Sequence, residues 1–413
     1  MSNVTIDGER LWGTLMETAQ IGGTAKGGIR RLTLSDEDRR VRDWFRTACE
    51  AAGCTVTVDG VGTMFARRPG RNESLPPICM GSHLDTQPTG GKFDGCLGVL
   101  AGLEVLRSLQ AIGYETNAPL ELVNWTNEEG ARFTPAMMAS AAFAGVFTTE
   151  YVLSRPGREG ITFADALDAI GYRGEARVGG RQLSAMFELH IEQGPILERE
   201  GKAIGVVTGV QAIRWFELTI QGSAAHAGST PMPVRRDALV GAARAVEAVQ
   251  AVALANAPAA VGTVGILECR PGSTNVVPGE VFLTIDLRHP EDGTLDRMEE
   301  DLRERLAGAL EGLDFARERI SHFPAVHFDP TLIGLVRDAA ERLGLPHRDI
   351  VSGPGHDAAY IARVAPTTMI FVPCRDGISH NEAEDTSFEQ CAAGAQVLMN
   401  AVLAFDATLE GQG

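Results

Sequence analysis

Three side chains able to hold a metal ion, His83, Asp85 and Asp94, fall within twelve residues of the segment GSHLDTQPTGGKFDG, Gly81–Gly95. A carboxylate pair, Glu128-Glu129, follows, and His190 and His380 stand in similar polar surroundings further along. Imidazole nitrogen together with carboxylate oxygen is what a borderline divalent ion such as Zn²⁺, Mn²⁺, Co²⁺ or Ni²⁺ accepts. An acidic dipeptide alone reads as a solvated turn. Beside a metal it gains a sharper meaning, because hydrolysis of an unactivated amide needs both a ligand carboxylate and a separate base for the proton of the attacking water. Glu128 is read as that base and Glu129 as the ligand, completing a metal set of His83, Asp94, Glu129, His190 and His380. Asp85, two residues beyond His83 on one face of an extended segment, is placed to stand behind the imidazole and fix its tautomer.

The surrounding patterns show what must carry these residues. Pro77–Met80 is a short apolar run entering the His83 loop, and Val99–Leu109 has helical spacing leaving it. Leu120–Thr126 delivers Glu128-Glu129, and Phe187–Ile191 delivers His190. Upstream, Ser35 caps an amphipathic helix stopped by Gly53, and two hairpin-like strands follow. Strands alternating with helices, with polar residues at strand ends, predict an α/β sheet that carries its site at the carboxyl edge. From Ile213 the order changes to β-α-β-β-α-β: a strand at Trp215–Ile220, a helix at Asp237–Leu254, strands at Thr263–Leu267 and Val281–Leu287, a helix at Leu295–Leu313 and a strand near Ser321–Val326. That order predicts an inserted ferredoxin-like α+β domain at 213–327, leaving a discontinuous catalytic domain of 1–212 plus 328–413.

Composition removes other classes. A formal net charge of −17 argues against nucleic acid or an anionic membrane as partner, so an anionic substrate needs a local arginine. No apolar run of about 18 residues is evident, and no membrane span is expected. Residues 1–10 lack a basic start and an apolar core, which points to the cytoplasm. The 7 cysteines are scattered without a C-x-x-C pair, as expected of reduced thiols.

Taken together, Gly81-Ser-His-Leu-Asp85, Phe93-Asp-Gly95, Asn127-Glu-Glu-Gly130, Glu188-Leu-His-Ile-Glu-Gln-Gly194, His226-Ala-Gly228 and Ile378-Ser-His-Asn-Glu382 resemble the hydantoinase/carbamoylase family of metal-dependent amidases, within the aminoacylase and carboxypeptidase superfamily. The resemblance implies a mixed-sheet di-metal hydrolase domain with the inserted domain as lid and dimerisation element. It implies that His83 and His190 hold one ion, Glu129 and His380 a second, and that Asp94 bridges them, with Glu128 as general base. It implies substrate contacts from Gln211, His226, Asn275 and Arg288, and from the backbone of Gly353 and Gly355, beside which His356 and Asp357 offer hydrogen bonds. Physically, Arg288 suits a bidentate carboxylate clamp, Gln211 and Asn275 suit carboxylate or ureido groups, and His226 suits a developing oxyanion. The implied reaction is hydrolysis of the ureido C–N bond of a small anion, an N-carbamoyl-L-amino acid or N-carbamoyl-β-alanine, by a homodimer in which His226 reaches the neighbouring site. Allantoate is the neighbouring substrate reading, and acyl amino acids or dipeptides a more distant one.

Overall fold

The computed structural model describes residues 4–410 and divides into two compact units, one running to Gly209 and resuming at His327, the other Val210–Val326. In the first unit a mixed sheet runs in the order Thr55–Val58, Met64–Arg68, Leu120–Trp125, Ile78–His83, Ala185–Ile191, Thr367–Val372, Ile204–Val210, with His347–Ser352 also paired to the last. The central pairings, Ile78–His83 with both Leu120–Trp125 and Ala185–Ile191, and Ala185–Ile191 with Thr367–Val372, are parallel. Every residue of those four strands is buried, as parallel strands covered on both faces must be. Helices Cys96–Ala111, Pro330–Arg342 and Phe388–Thr408 pack together on the sheet, and the short helices Met138–Phe143 and Asp357–Ile361 form a second group. Ser35 caps the helix Asp36–Ala51 by accepting a hydrogen bond from the Asp38 amide.

The second unit is a four-stranded antiparallel sheet in the order Asp314–Phe323, Ala212–Gln221, Glu280–His289, Val261–Arg270. Strand Glu280–His289 alternates strictly between buried and half-buried residues. Its inward side chains Val281, Leu283, Ile285 and Leu287 meet Phe216, Leu218 and Ile220 of the neighbouring strand, with Ala245, Val249, Leu302 and Leu306 from the helices Ala238–Ala255 and Asp292–Ala309. The last strand lies at Asp314–Phe323, earlier than the expected Ser321–Val326. It is a charged, largely exposed edge strand, so it has no apolar alternation to read. The preceding helix stops at Ala309 although Leu310 and Leu313 prolong its apolar spacing, because Gly312 adopts φ +80° in the turn.

The expectation about apolar runs also needs correction. Helices Ala238–Ala255 and Phe388–Thr408 are long and apolar enough to cross a membrane, with mean hydropathy 1.5 and 1.2, but they are 44% and 50% buried inside the protein. Each lays a stripe of small and aliphatic side chains against its own unit.

Candidate metal centre

His83 is the last residue of the strand Ile78–His83 and is 1% exposed. Its Nδ1 lies 2.9 Å from the backbone carbonyl oxygen of Asp85, so Nδ1 carries the proton and Nε2 is left as an acceptor. That Nε2 is buried without a hydrogen-bond partner. His190, near the end of Ala185–Ile191, repeats the device with Nδ1 2.9 Å from the carbonyl of Ile191. Asp94 stands between the rings, its Oδ1 3.6 Å from His83 Nε2 and 3.1 Å from His190 Nε2. Its other oxygen, Oδ2, lies 3.3 Å from His380 Nε2, which is 3.4 Å from Glu129 Oε2. Two ligand groups therefore form, His83–Asp94–His190 and Asp94–Glu129–His380, sharing Asp94. Gly95 makes the approach of Asp94 to His83 feasible: its φ is +65°, and a Cβ there would stand 2.3 Å from the His83 ring.

Glu128 Oε2 lies 3.5 Å from His83 Nε2, on the edge of the first group. Asp85 reaches this site differently from expectation. Its carboxylate is 3.9 Å from His83 Nδ1 and instead accepts hydrogen bonds from the amides of Glu128, at 3.3 Å, and Glu129, at 3.4 Å. The strand ends at His83, so face alternation does not extend to residue 85, and the carbonyl takes the role anticipated for the side chain. Asn127, Gln193 and His380, with φ of +61°, +56° and +55°, put left-handed backbone into three of the site loops. Such conformations persist only where the surroundings over-determine them. At Asn127 the side-chain amide does this, donating to the carbonyls of Phe133 at 2.9 Å and Pro135 at 3.2 Å.

The electrostatics follow from crowding acids in a dry place. Burial, then the charges of Asp357, Glu129 and Asp94, push Glu128 well above the ordinary carboxylate range; burial, then Asp94 and Asp85, do the same to Glu129. Asp85 is raised to about 7, chiefly by burial, with Asp38 adding to it and Arg42 opposing. Burial also works against ionisation of Asp94, yet its hydrogen bonds to His190 and His380 hold it well below its usual value. Burial lowers His83 to about 4. His190 is raised to about 9, because contact with Asp94 overcomes the burial that would lower it. These carboxylates lack protein cations enough to balance them, and divalent ions are the counter-charge the donor set suits. The unpartnered Nε2 of His83 and the divided oxygens of Asp94 fit that group.

Several supporting residues escaped the sequence reading. Gln193 Nε2 donates to Asp94 Oδ2 at 2.9 Å, and Gln87 holds Glu129 through its side chain at 2.7 Å and its amide at 3.1 Å. Glu188 accepts from Ser82 Oγ at 2.7 Å and the Ala358 amide at 3.0 Å, and with His190 and His356 forms a third close group. Gln193 and Glu188 lie inside a motif already singled out, so proximity to His190 was the available signal. His356 packs against the His190 ring with centroids 4.5 Å apart, its Nε2 buried without a partner, and Asp357 accepts a hydrogen bond from Ser140. The missing side chain of Gly355 is room for Met137, whose methyl would lie 3.0 Å from a Cβ there; Gly353 stands two residues earlier in the same loop.

The remaining expected residues belong to the unit Val210–Val326. His226 and Asn275 come together on a small ribbon, where Ala225–His226 pairs with Val276–Val277 and the Ala227 amide donates to the Asn275 carbonyl at 2.9 Å. His226 is exposed. Gln211 is buried at the start of the unit. Arg288 does make a bidentate clamp, but to Asp286, with Nη2 2.7 Å and Nε 3.1 Å from that carboxylate.

Residues 79–404 match the family model described as peptidase family M20/M25/M40. A solved amidase of the hydantoinase/carbamoylase family from Burkholderia multivorans is 56% identical, with a TM-score of 0.94, covering 97% of this chain and 98% of that one. The chain belongs to the hydantoinase/carbamoylase family. Among this family's curated members, the N-carbamoyl-L-amino-acid amidohydrolase of Rhizobium meliloti is 52% identical, covering 97% of each chain. The N-carbamoyl-L-amino acid amidohydrolase of Geobacillus stearothermophilus is 38% identical, covering 96% of this chain and 98% of the other. The mixed α/β fold is the one expected of this family, whose members are metal-dependent hydrolases.

Proposed function

We propose that this protein hydrolyses the ureido C–N bond of N-carbamoyl-L-amino acids, releasing the amino acid, ammonia and carbon dioxide. The observation that carries this reading is the doubled ligand group sharing Asp94, with Glu128 alongside, in a chain 52% identical to an N-carbamoyl-L-amino-acid amidohydrolase. Two divalent ions would be held, one by His83 and His190, the other by Glu129 and His380, with Asp94 common to both. Such ions polarise a carbonyl and lower the pKa of water towards about 7. Glu128 accepts the proton of the attacking water and passes it to the leaving nitrogen, a task for which its place 3.5 Å from His83 Nε2 suits it. Asp85 keeps the two glutamates in register by binding both their amides. Gln211, His226, Asn275 and Arg288 are assigned to the substrate, with the Gly353–Gly355 backbone. For Arg288 this requires a substrate carboxylate to share or replace Asp286.

We also assign the unit Val210–Val326 as the surface of a homodimer. Its strand Val261–Arg270 is a sheet edge, and Val261, Ile266 and Leu267 on it are exposed, as are Leu239, Val240 and Leu254 of the helix packed beside it. An apolar sheet edge of this kind invites pairing with another strand. Full activity from a monomer in dilute solution would count against this assignment.

The direct test is ammonia release from metal-reconstituted protein, comparing several N-carbamoyl-L-amino acids, N-carbamoyl-β-alanine and allantoate, each with a chelator control. Chelator-sensitive turnover of the L-amino acid derivatives is expected. Activity on allantoate alone would move the substrate while keeping the site, and turnover only of acyl amino acids or dipeptides would overturn the ureido reading.

A further inference from the structure

Glu384 has no part in the reaction described above, yet at 4% exposure it is as deeply placed as Asp94. One oxygen, Oε1, accepts from the backbone amides of Phe93 at 3.1 Å and Asp94 at 3.0 Å. The other, Oε2, lies 3.0 Å from Ser379 Oγ, which is also 3.1 Å from Asp94 Oδ2. A single carboxylate thus joins the loop that presents Asp94 to the loop that presents His380. Its seat is shaped for it: a Cβ on Gly91 would fall 2.1 Å from Oε1, so the position tolerates no side chain while Glu384 is in place. The join matters most for His380. Its side chain is 51% exposed and its backbone left-handed, so packing does little to hold it, whereas His83 and His190 are fixed at the ends of buried strands.

We propose that Glu384 is a positioning residue that sets the spacing between the two halves of the metal centre, by fastening the Asp94 loop to the His380 loop. The inference rests on the two-ion reading. Ligands held by hydrogen bonds from outside the coordination shell lose about 10- to 100-fold in metal affinity when that support is removed. A carboxylate accepting two backbone N–H groups is a strong support of this kind.

The test uses the full-length apo-protein and Co²⁺, with affinity read by competition against a chelator and geometry by the visible Co²⁺ absorption. Glu384→Ala removes the carboxylate. Gly91→Ala displaces it without changing it. Glu384→Gln keeps an oxygen able to accept from both amides and gains an N–H able to donate to Ser379 Oγ. We expect Co²⁺ affinity about 10- to 100-fold weaker and an altered spectrum in Glu384→Ala and Gly91→Ala, with Glu384→Gln close to the wild type. Thermal unfolding of each apo-protein separates this from general destabilisation, and Gly91→Ala with Glu384→Gln carries the test if Glu384→Ala does not fold. Unchanged affinity and spectrum in Gly91→Ala, or loss in Glu384→Gln equal to that in Gly91→Ala, would overturn the proposal. A wild-type protein that binds no Co²⁺ would instead remove the two-ion reading on which it stands.

Discussion

The two sheets of this molecule handle polarity in opposite ways. In the first unit the central strands are buried along their whole length, and acidic groups are buried with them: Glu188 within strand Ala185–Ile191, and Asp85, Asp94 and Glu128 in the loops that follow the strand ends, all almost out of water. In the second unit, strand Glu280–His289 alternates, its inward Val281, Leu283, Ile285 and Leu287 join an apolar core, and the polar groups lie around that core: His289 at the strand end, Arg214 paired with Glu299, and ions such as Arg236–Asp314 in solvent. Burying unbalanced charge is costly, and a scaffold covered on both faces can hold such groups in place because its strand ends have nowhere to relax. The second unit has a core that requires no ion. Stability and chemistry are therefore separable by position: damage to one sheet should appear mainly in turnover and metal binding, damage to the other mainly in folding.

The largest effect expected from that separation is on Glu128. Glu128→Gln should lower ammonia release by about 10²- to 10⁴-fold while leaving metal content by elemental analysis unchanged. Retained turnover would remove Glu128 from the role of base. The converse experiment is Phe216→Ala in the second unit, where Phe216 is fully buried among Leu218, Val281 and their neighbours. Urea unfolding should show a loss of about 3–5 kcal/mol, with Co²⁺ affinity of the folded protein unchanged. Coupled loss of metal affinity would blur the distinction between the sheets. Metal removal supplies a third comparison by hydrogen exchange. Protection should fall in the segments around His83–Gly95, Asn127–Gly130 and Ser379–Glu384 and stay constant in Glu280–His289; a uniform fall would contradict local control by the ions.

The smallest effect concerns a buried acid away from the centre. Asp59 accepts hydrogen bonds from the Val61 amide at 3.0 Å and the Thr63 amide at 2.9 Å, and burial raises its pKa from 3.8 to about 6. Between those values the folded state binds more protons than the unfolded one, so this residue's contribution to stability declines as pH rises from about 4 to about 6. Asp59→Asn, which keeps the acceptor oxygen but puts a donor where Oδ2 has no partner, should be more stable than wild type at pH 7 by on the order of 1 kcal/mol. The difference should shrink as pH falls through that window. A difference independent of pH would exclude the titration of Asp59 as its source.

The central elements were legible because their patterns are strong. Leu120–Thr126 and Phe187–Ile191 are apolar runs that end in polar residues, and the structure has strands at Leu120–Trp125 and Ala185–Ile191. Edge strand Asp314–Phe323 was misplaced because exposure removes the pattern on which such reading depends. Within the site, the candidate ligands near strand ends are the residues the sequence singles out, but the partners that hold them are not visible in it. Glu384 contacts residues 93 and 94 across 291 and 290 positions of sequence, and no local spacing encodes that. The role of Asp85 was misread for a related reason: which of its oxygens meets His83 is decided by where the strand stops, two residues before Asp85. Arg288 was readable as a carboxylate clamp, but its neighbour Asp286 occupies it in this structure.

The two-ion site is tested most directly by titrating apo-protein with Mn²⁺ or Co²⁺, following bound metal and turnover of an N-carbamoyl-L-amino acid in the same samples. Two ions per chain are expected, with His380→Ala reducing the number to about one and turnover falling with it. Full carbamoyl hydrolysis with a single ion bound, or with none, would contradict that expectation.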